Sequence, residues 1–125
     1  MTATGTQIRS ATGEDLAGLA AAFEAAESLI IATIERECEA LRAGRHLAAQ
    51  ALRNRLDDAA RLYLNAAKGA RASYALYQDL APEVVVEIES RRRFFAAILK
   101  IELAVLAAQR VAFRPASPDE LSRQS

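Results

Sequence analysis

Apolar residues recur at steps of three and four over three long stretches of this chain, each closed by a glycine or proline signal. The most regular stretch runs from Leu47 to Leu80, with Leu52, Leu56, Ala59, Leu62, Ala66, Ala70, Tyr74, Tyr77 and Leu80 in one stripe. That period marks an amphipathic helix, here roughly 50 Å long at about 1.5 Å per residue. Ahead of it, Leu16, Leu19, Phe23, Ala26, Ile30, Ile34, Cys38 and Leu41 make a second stripe, which Leu29 and Ile31 widen. After it, Val84, Ile88, Phe95, Ile98, Leu99, Leu103, Leu106 and Phe113 make a third. A rod cannot bury its own stripe. The three together predict an all-α, antiparallel bundle of three long helices, an elongated hairpin plus a third helix.

The boundaries follow from capping chemistry. Thr12, with Glu14 and Asp15 just after it, is a good N-cap. Residues 1–11 show no period and predict a disordered arm. Gly44 follows Leu41-Arg42-Ala43 and suits the left-handed position just past a helix. The link to Leu47 is so short that the second helix must return antiparallel. The alternative, Gly44 inside one continuous helix, costs about 1 kcal/mol relative to Ala. Pro82 disfavours helix at Ala81 and is at home in a first helical turn, with Glu83 beside it. Pro115 closes the third helix. The bundle then spans 12–114 and a mobile tail spans 115–125, with one helical turn from Ser117 to Leu121. Inside the second helix, Gly69 is expected to be a tolerated small residue where a helix could cross closely, with a hinge as the alternative reading. Tyr74 and Tyr77 read as core-edge residues with hydrated hydroxyls.

Length and composition fit this picture. The 125 residues make one domain, 52% hydrophobic and 26% charged, with Ala supplying much of the apolar share. Net charge is zero, which gives no overall basic character to draw nucleic acid. Its distribution is uneven. Thr12 to Ala43 carries seven acidic and two basic residues, whereas Arg45 to Leu80 carries six basic and three acidic. An acidic first helix beside mildly basic ones is expected. Cys38 is the only cysteine and lies on the apolar stripe, so it predicts a buried thiol in a reducing compartment. Met1 to Ser10 lacks the apolar core of a signal peptide, and no apolar run reaches a membrane span. The expected location is cytoplasmic.

Candidate chemistry is sparse. His46 is the only histidine and sits in the hairpin turn, without the other ligands a metal site needs. Glu35, Glu37 and Glu39, like Glu87 and Glu89, read as solvated carboxylates on helix faces. There is no Glu-x-x-His pair, no glycine-rich phosphate loop and no nucleophile–base set in the sequence. The expectation is a protein that is not an enzyme and uses no cofactor and no metal, whose work is contact with another chain. Leu29, Ile31, Val85, Phe94 and Val105 fall off the main stripes and could face such a partner. Arg91-Arg92-Arg93 interrupts the third stripe and reads as solvated arginines whose stems cover apolar surface. A weaker reading joins them to Phe94-Phe95 as a peripheral membrane helix.

The segment Lys100-Ile101-Glu102-Leu103-Ala104-Val105-Leu106-Ala107-Ala108-Gln109-Arg110-Val111-Ala112 resembles the C-terminal helix of FlgN-type flagellar export chaperones, especially their α-proteobacterial forms. The turn from Glu37 to Leu47, with Leu41, Gly44 and Leu47, is similar to that family's turn. The resemblance covers roughly Leu16 to Arg114. It departs at Glu102, where the family has asparagine, and at Arg45, where the family has aspartate after the glycine. A carboxylate at Glu102 would need water or a basic partner, with Arg110 and Arg92 as the candidates. The resemblance implies a cytoplasmic chaperone for flagellar hook-associated proteins of the hook–filament junction. It would bind their C-terminal helices, prevent premature assembly and deliver them to the export apparatus. With the off-stripe apolar residues, it points to Phe94, Ile98, Ile101, Val105, Phe113 and Leu121 as the partner-binding residues. The alternative is a structural coiled-coil or helical scaffold module that forms homo-oligomers, and a homodimer is a variant of either reading.

Overall fold

The computed structural model describes the backbone of residues 2–79 and 81–115, and the side chains of residues 18–75, 77–79 and 81–115. It is an all-α three-helix bundle: α1 is Thr2–Arg42, α2 is His46–Tyr77 and α3 is Pro82–Ala112. The helix expected from Leu47 to Leu80 is α2, with Leu80 outside the described residues. Helix α1 is the central element. Helix α2 packs along much of it, α3 packs on it more sparsely, and α2 and α3 meet at only a few points.

The hairpin turn forms as its glycine predicts. Gly44 has φ +74°, its N–H donates to the Leu41 carbonyl at 3.1 Å, and the Arg45 N–H donates to the Ala40 carbonyl at 2.8 Å. This pair of bonds is the Schellman motif, which satisfies carbonyls left open at the end of α1. Ala81 is the N-cap of α3 and Pro82 opens the helix. Helix α1 begins earlier than expected. Its backbone is helical from Thr2, so Thr12 lies inside the helix rather than at its N-cap.

Two core clusters lie along the rod. Beside the turn, Ile30, Ile34, Cys38 and Leu41 of α1 meet Leu52, Leu56 and Ala59 of α2 and Phe95 and Leu106 of α3. Away from the turn, Phe23 meets Ala67, Ala70, Tyr74 and Tyr77 of α2 and Val85 and Ile88 of α3. Tyr63 joins the two, with its ring centroid 5.7 Å from that of Phe23 and 5.3 Å from that of Phe95.

The expected stripes shift in phase at several places. In α2, Leu62 is exposed and Tyr63 packs inward, because steps of four from Ala59 to Tyr63 and Ala67 keep the face toward α1. In α3, Val85 rather than Val84 is buried, so Val85 is core and not a free flank. Ile98 and Leu103, expected in the α3 core, are exposed. Tyr74 is buried, deeper than the core-edge position expected, with Arg92 beside its hydroxyl. Gly69 has no neighbour close to where a Cβ would stand, so no helix crosses it.

Candidate partner-binding groove and the buried ion pair behind it

Helix α3 carries two faces. Val85, Ile88, Phe95 and Leu106 are its buried residues. Phe94, Ile98, Ile101 and Val105 follow one another at steps of four, three and four, so they share a second face. All four are exposed, Phe94 at 70% and Ile101 at 65%. Together they make a contiguous apolar row on the surface of α3, a candidate for contact with another chain. Neighbouring phenylalanines thus divide the work, Phe95 in the core and Phe94 outside it. Of the two rings in the peripheral membrane reading, Phe94 alone is exposed.

Phe94 and Ile98 line a groove of about 580 Å³ between α1 and α3. Ile31 and Ala32 of α1 and the edge of Phe95 complete its apolar floor. Ile31, expected as a free flank, is half-buried against the core. Glu24, Glu27 and Glu35 stand along the α1 side, and Arg91 stands on the α3 side. Arg91 reaches Glu24 at 3.9 Å, between two largely exposed side chains. Burial pushes the Glu27 carboxyl above its ordinary range, against the pull of Arg91. Ile101 and Val105 continue the apolar face along α3 toward its C-terminus. Phe113 is the C-cap residue of α3 and lies off that face. Leu121 lies outside the described residues, as does the turn expected from Ser117.

Behind this surface sits a carboxylate that sequence reasoning placed in water. Glu37 of α1 is fully buried. The guanidinium of Arg110 on α3 donates two hydrogen bonds to it, Nε to Oε2 at 2.7 Å and Nη2 to Oε1 at 3.0 Å. Arg53 of α2 stands 3.9 Å from the same carboxylate. One charge therefore gathers all three helices. The bond to Glu37 raises the pKa of Arg110 above the ordinary arginine value, against the effect of burial. The signal for Glu37 was its phase, since it follows Ile34 by three residues and precedes Leu41 by four, among the core positions of α1. Arg110 is thus committed to Glu37 rather than to Glu102. Arg92 lies over the Phe23 ring, 5.0 Å from its centroid, so it is packed rather than solvated. Cys38 is buried as expected, and burial pushes its thiol pKa up, which leaves it a poor nucleophile.

Among the described residues, no group of three or more His, Cys, Asp and Glu side chains could hold a metal ion, and no helix is long and apolar enough to cross a membrane. Compared with protein-family models, curated proteins and solved structures, the chain matches none.

Proposed function

We propose that this protein binds an amphipathic helix of another protein, and that it does so as a cytoplasmic flagellar export chaperone. The observation that carries the helix-binding reading is the exposed row Phe94, Ile98, Ile101 and Val105, whose first members line a groove against α1. An apolar helix face laid into a groove is a common mode of peptide recognition, read as anchors at steps of three and four. What supports the narrower reading is the resemblance of Lys100 to Ala112 to the C-terminal helix of FlgN-type chaperones, since that segment contains Ile101 and Val105. The clients would be hook-associated proteins of the hook–filament junction, held through their C-terminal helices and passed to the export apparatus. A client helix that assembles through its apolar face is kept from doing so while this groove covers it.

Co-elution on size exclusion with the hook-associated proteins of the source organism, full length and lacking their C-terminal helices, tests this reading. A complex that forms only with the intact C-terminus is the expected result. A homo-oligomer of fixed size that ignores both forms would contradict it and favour the scaffold alternative.

A further inference from the structure

The groove has a charge pattern as well as a shape. It holds three carboxylates, Glu24, Glu27 and Glu35, against one guanidinium, Arg91. Arg91 is spent on Glu24. Among the described residues, neither Glu27 nor Glu35 makes an ion pair within the protein. Glu27 is only half-exposed, so its charge is partly withdrawn from water, with Arg91 and Arg92 near enough to attract it but neither forming an ion pair with it. The three carboxylates together make a net negative edge that an approaching cation stabilises. Glu24 and Glu27 are one helical turn apart, and Glu35 lies two turns further on. The span from Glu24 to Glu35 is about 16 Å, which is also the reach of the apolar row from Phe94 to Val105. The acidic lip and the apolar row therefore have the same length.

We propose that the occupant of this groove is an amphipathic helix of another protein whose apolar face is flanked on one edge by lysine or arginine residues, spaced to meet Glu24, Glu27 and Glu35. This rests on the helix-binding reading above and adds the partner's charge. A helix with the same apolar face and an acidic edge is rejected by the lip, which makes the three carboxylates a specificity device. A second copy of this chain is a poorer occupant. A two-fold interface sets a patch against itself, and this patch carries two negative charges in excess. Long-range attraction to the lip also speeds encounter with a basic partner.

The test uses two designed amphipathic peptides with one shared leucine–alanine face, one with a lysine edge and its twin with a glutamate edge. Each carries a fluorophore, and anisotropy follows its binding to the full chain. The lysine peptide is expected to bind about tenfold or more tightly at low salt, with the gap shrinking at high salt. In the triple variant Glu24→Gln, Glu27→Gln, Glu35→Gln the two peptides should bind alike. Equal binding of both peptides to the parent protein would overturn the charge inference and leave the helix-binding groove standing. Failure of both peptides to bind would remove the groove reading itself, and the charge inference with it. Sedimentation that shows the parent as a dimer, dispersed by Ile98→Asp, would assign the groove to a second copy and overturn the proposal.

Discussion

Glu37 concentrates the energetic risk of this fold at one residue. A buried carboxylate is tolerated because Arg110 grips it with both ends of its guanidinium and Arg53 stands near. Removing one partner leaves the other's charge uncompensated, which typically costs about 3–5 kcal/mol in a buried pair. Arg110 is partly exposed, so Arg110→Ala is expected at the lower end, about 3 kcal/mol by urea unfolding. The double variant Glu37→Leu, Arg110→Leu should recover most of that loss, to within about 1 kcal/mol of the parent, because the one charge then left at the site, Arg53, has a side chain that reaches solvent. A double variant as unstable as the single one would contradict this account of the pair. The adjacent phenylalanines give a second contrast. Phe95→Ala removes a buried ring from the turn-side cluster and should cost about 3–5 kcal/mol. Phe94→Ala removes an exposed one and should change stability by about 0.5 kcal/mol or less. Thermal melts of both variants decide it, and equal losses would mean that Phe94 is core. At this scale the sequence was legible where residue type and phase agree, as at Cys38, Ile34 and Leu41. It was not legible where they conflict. Glu37 has a core phase and a charged type, and type alone pointed to solvent. Only the arrival of Arg110 from 73 positions away resolves that conflict.

The elements were read well from their ends. Gly44, Pro82 and Pro115 marked stops and starts because they act locally, through backbone conformation and missing donors. The N-terminal limit of α1 was not readable in the same way, because Thr12 can cap a helix or lie inside one. Two glycines now make opposite predictions. Gly44 holds a positive φ in open space, so Gly44→Ala should destabilise by roughly 1–2 kcal/mol through backbone strain. Gly69 is helical, exposed and free of close neighbours, so Gly69→Ala should stabilise by up to about 1 kcal/mol. Chemical denaturation of the two variants should shift the midpoint in opposite directions. A loss at Gly69 as large as that at Gly44 would reopen the hinge reading. The phase of α3 was harder to read than its ends. Its apolar residues fill two faces, and periodicity by itself could not say which face meets α1. Phe95 was placed correctly, while Val85 and Ile98 exchanged roles.

On the scale of the whole molecule, the arrangement is a tight hairpin with a third helix leaning on one side of it. Because α3 packs on α1 through one face and keeps a second apolar face, the bundle leaves a groove between α1 and α3 that a fourth helix could cover. That surface lies between the acidic α1 and the row Phe94, Ile98, Ile101 and Val105, and the central claim is that this row serves binding and not folding. The most direct measurement pairs a thermal melt with client co-elution on the variant Phe94→Asp, Val105→Asp. The account predicts a melt within a few degrees of the parent, since both side chains are exposed, together with loss of the complex. A collapse of the melt would show that the row is core, and a complex that survives intact would show that clients bind elsewhere.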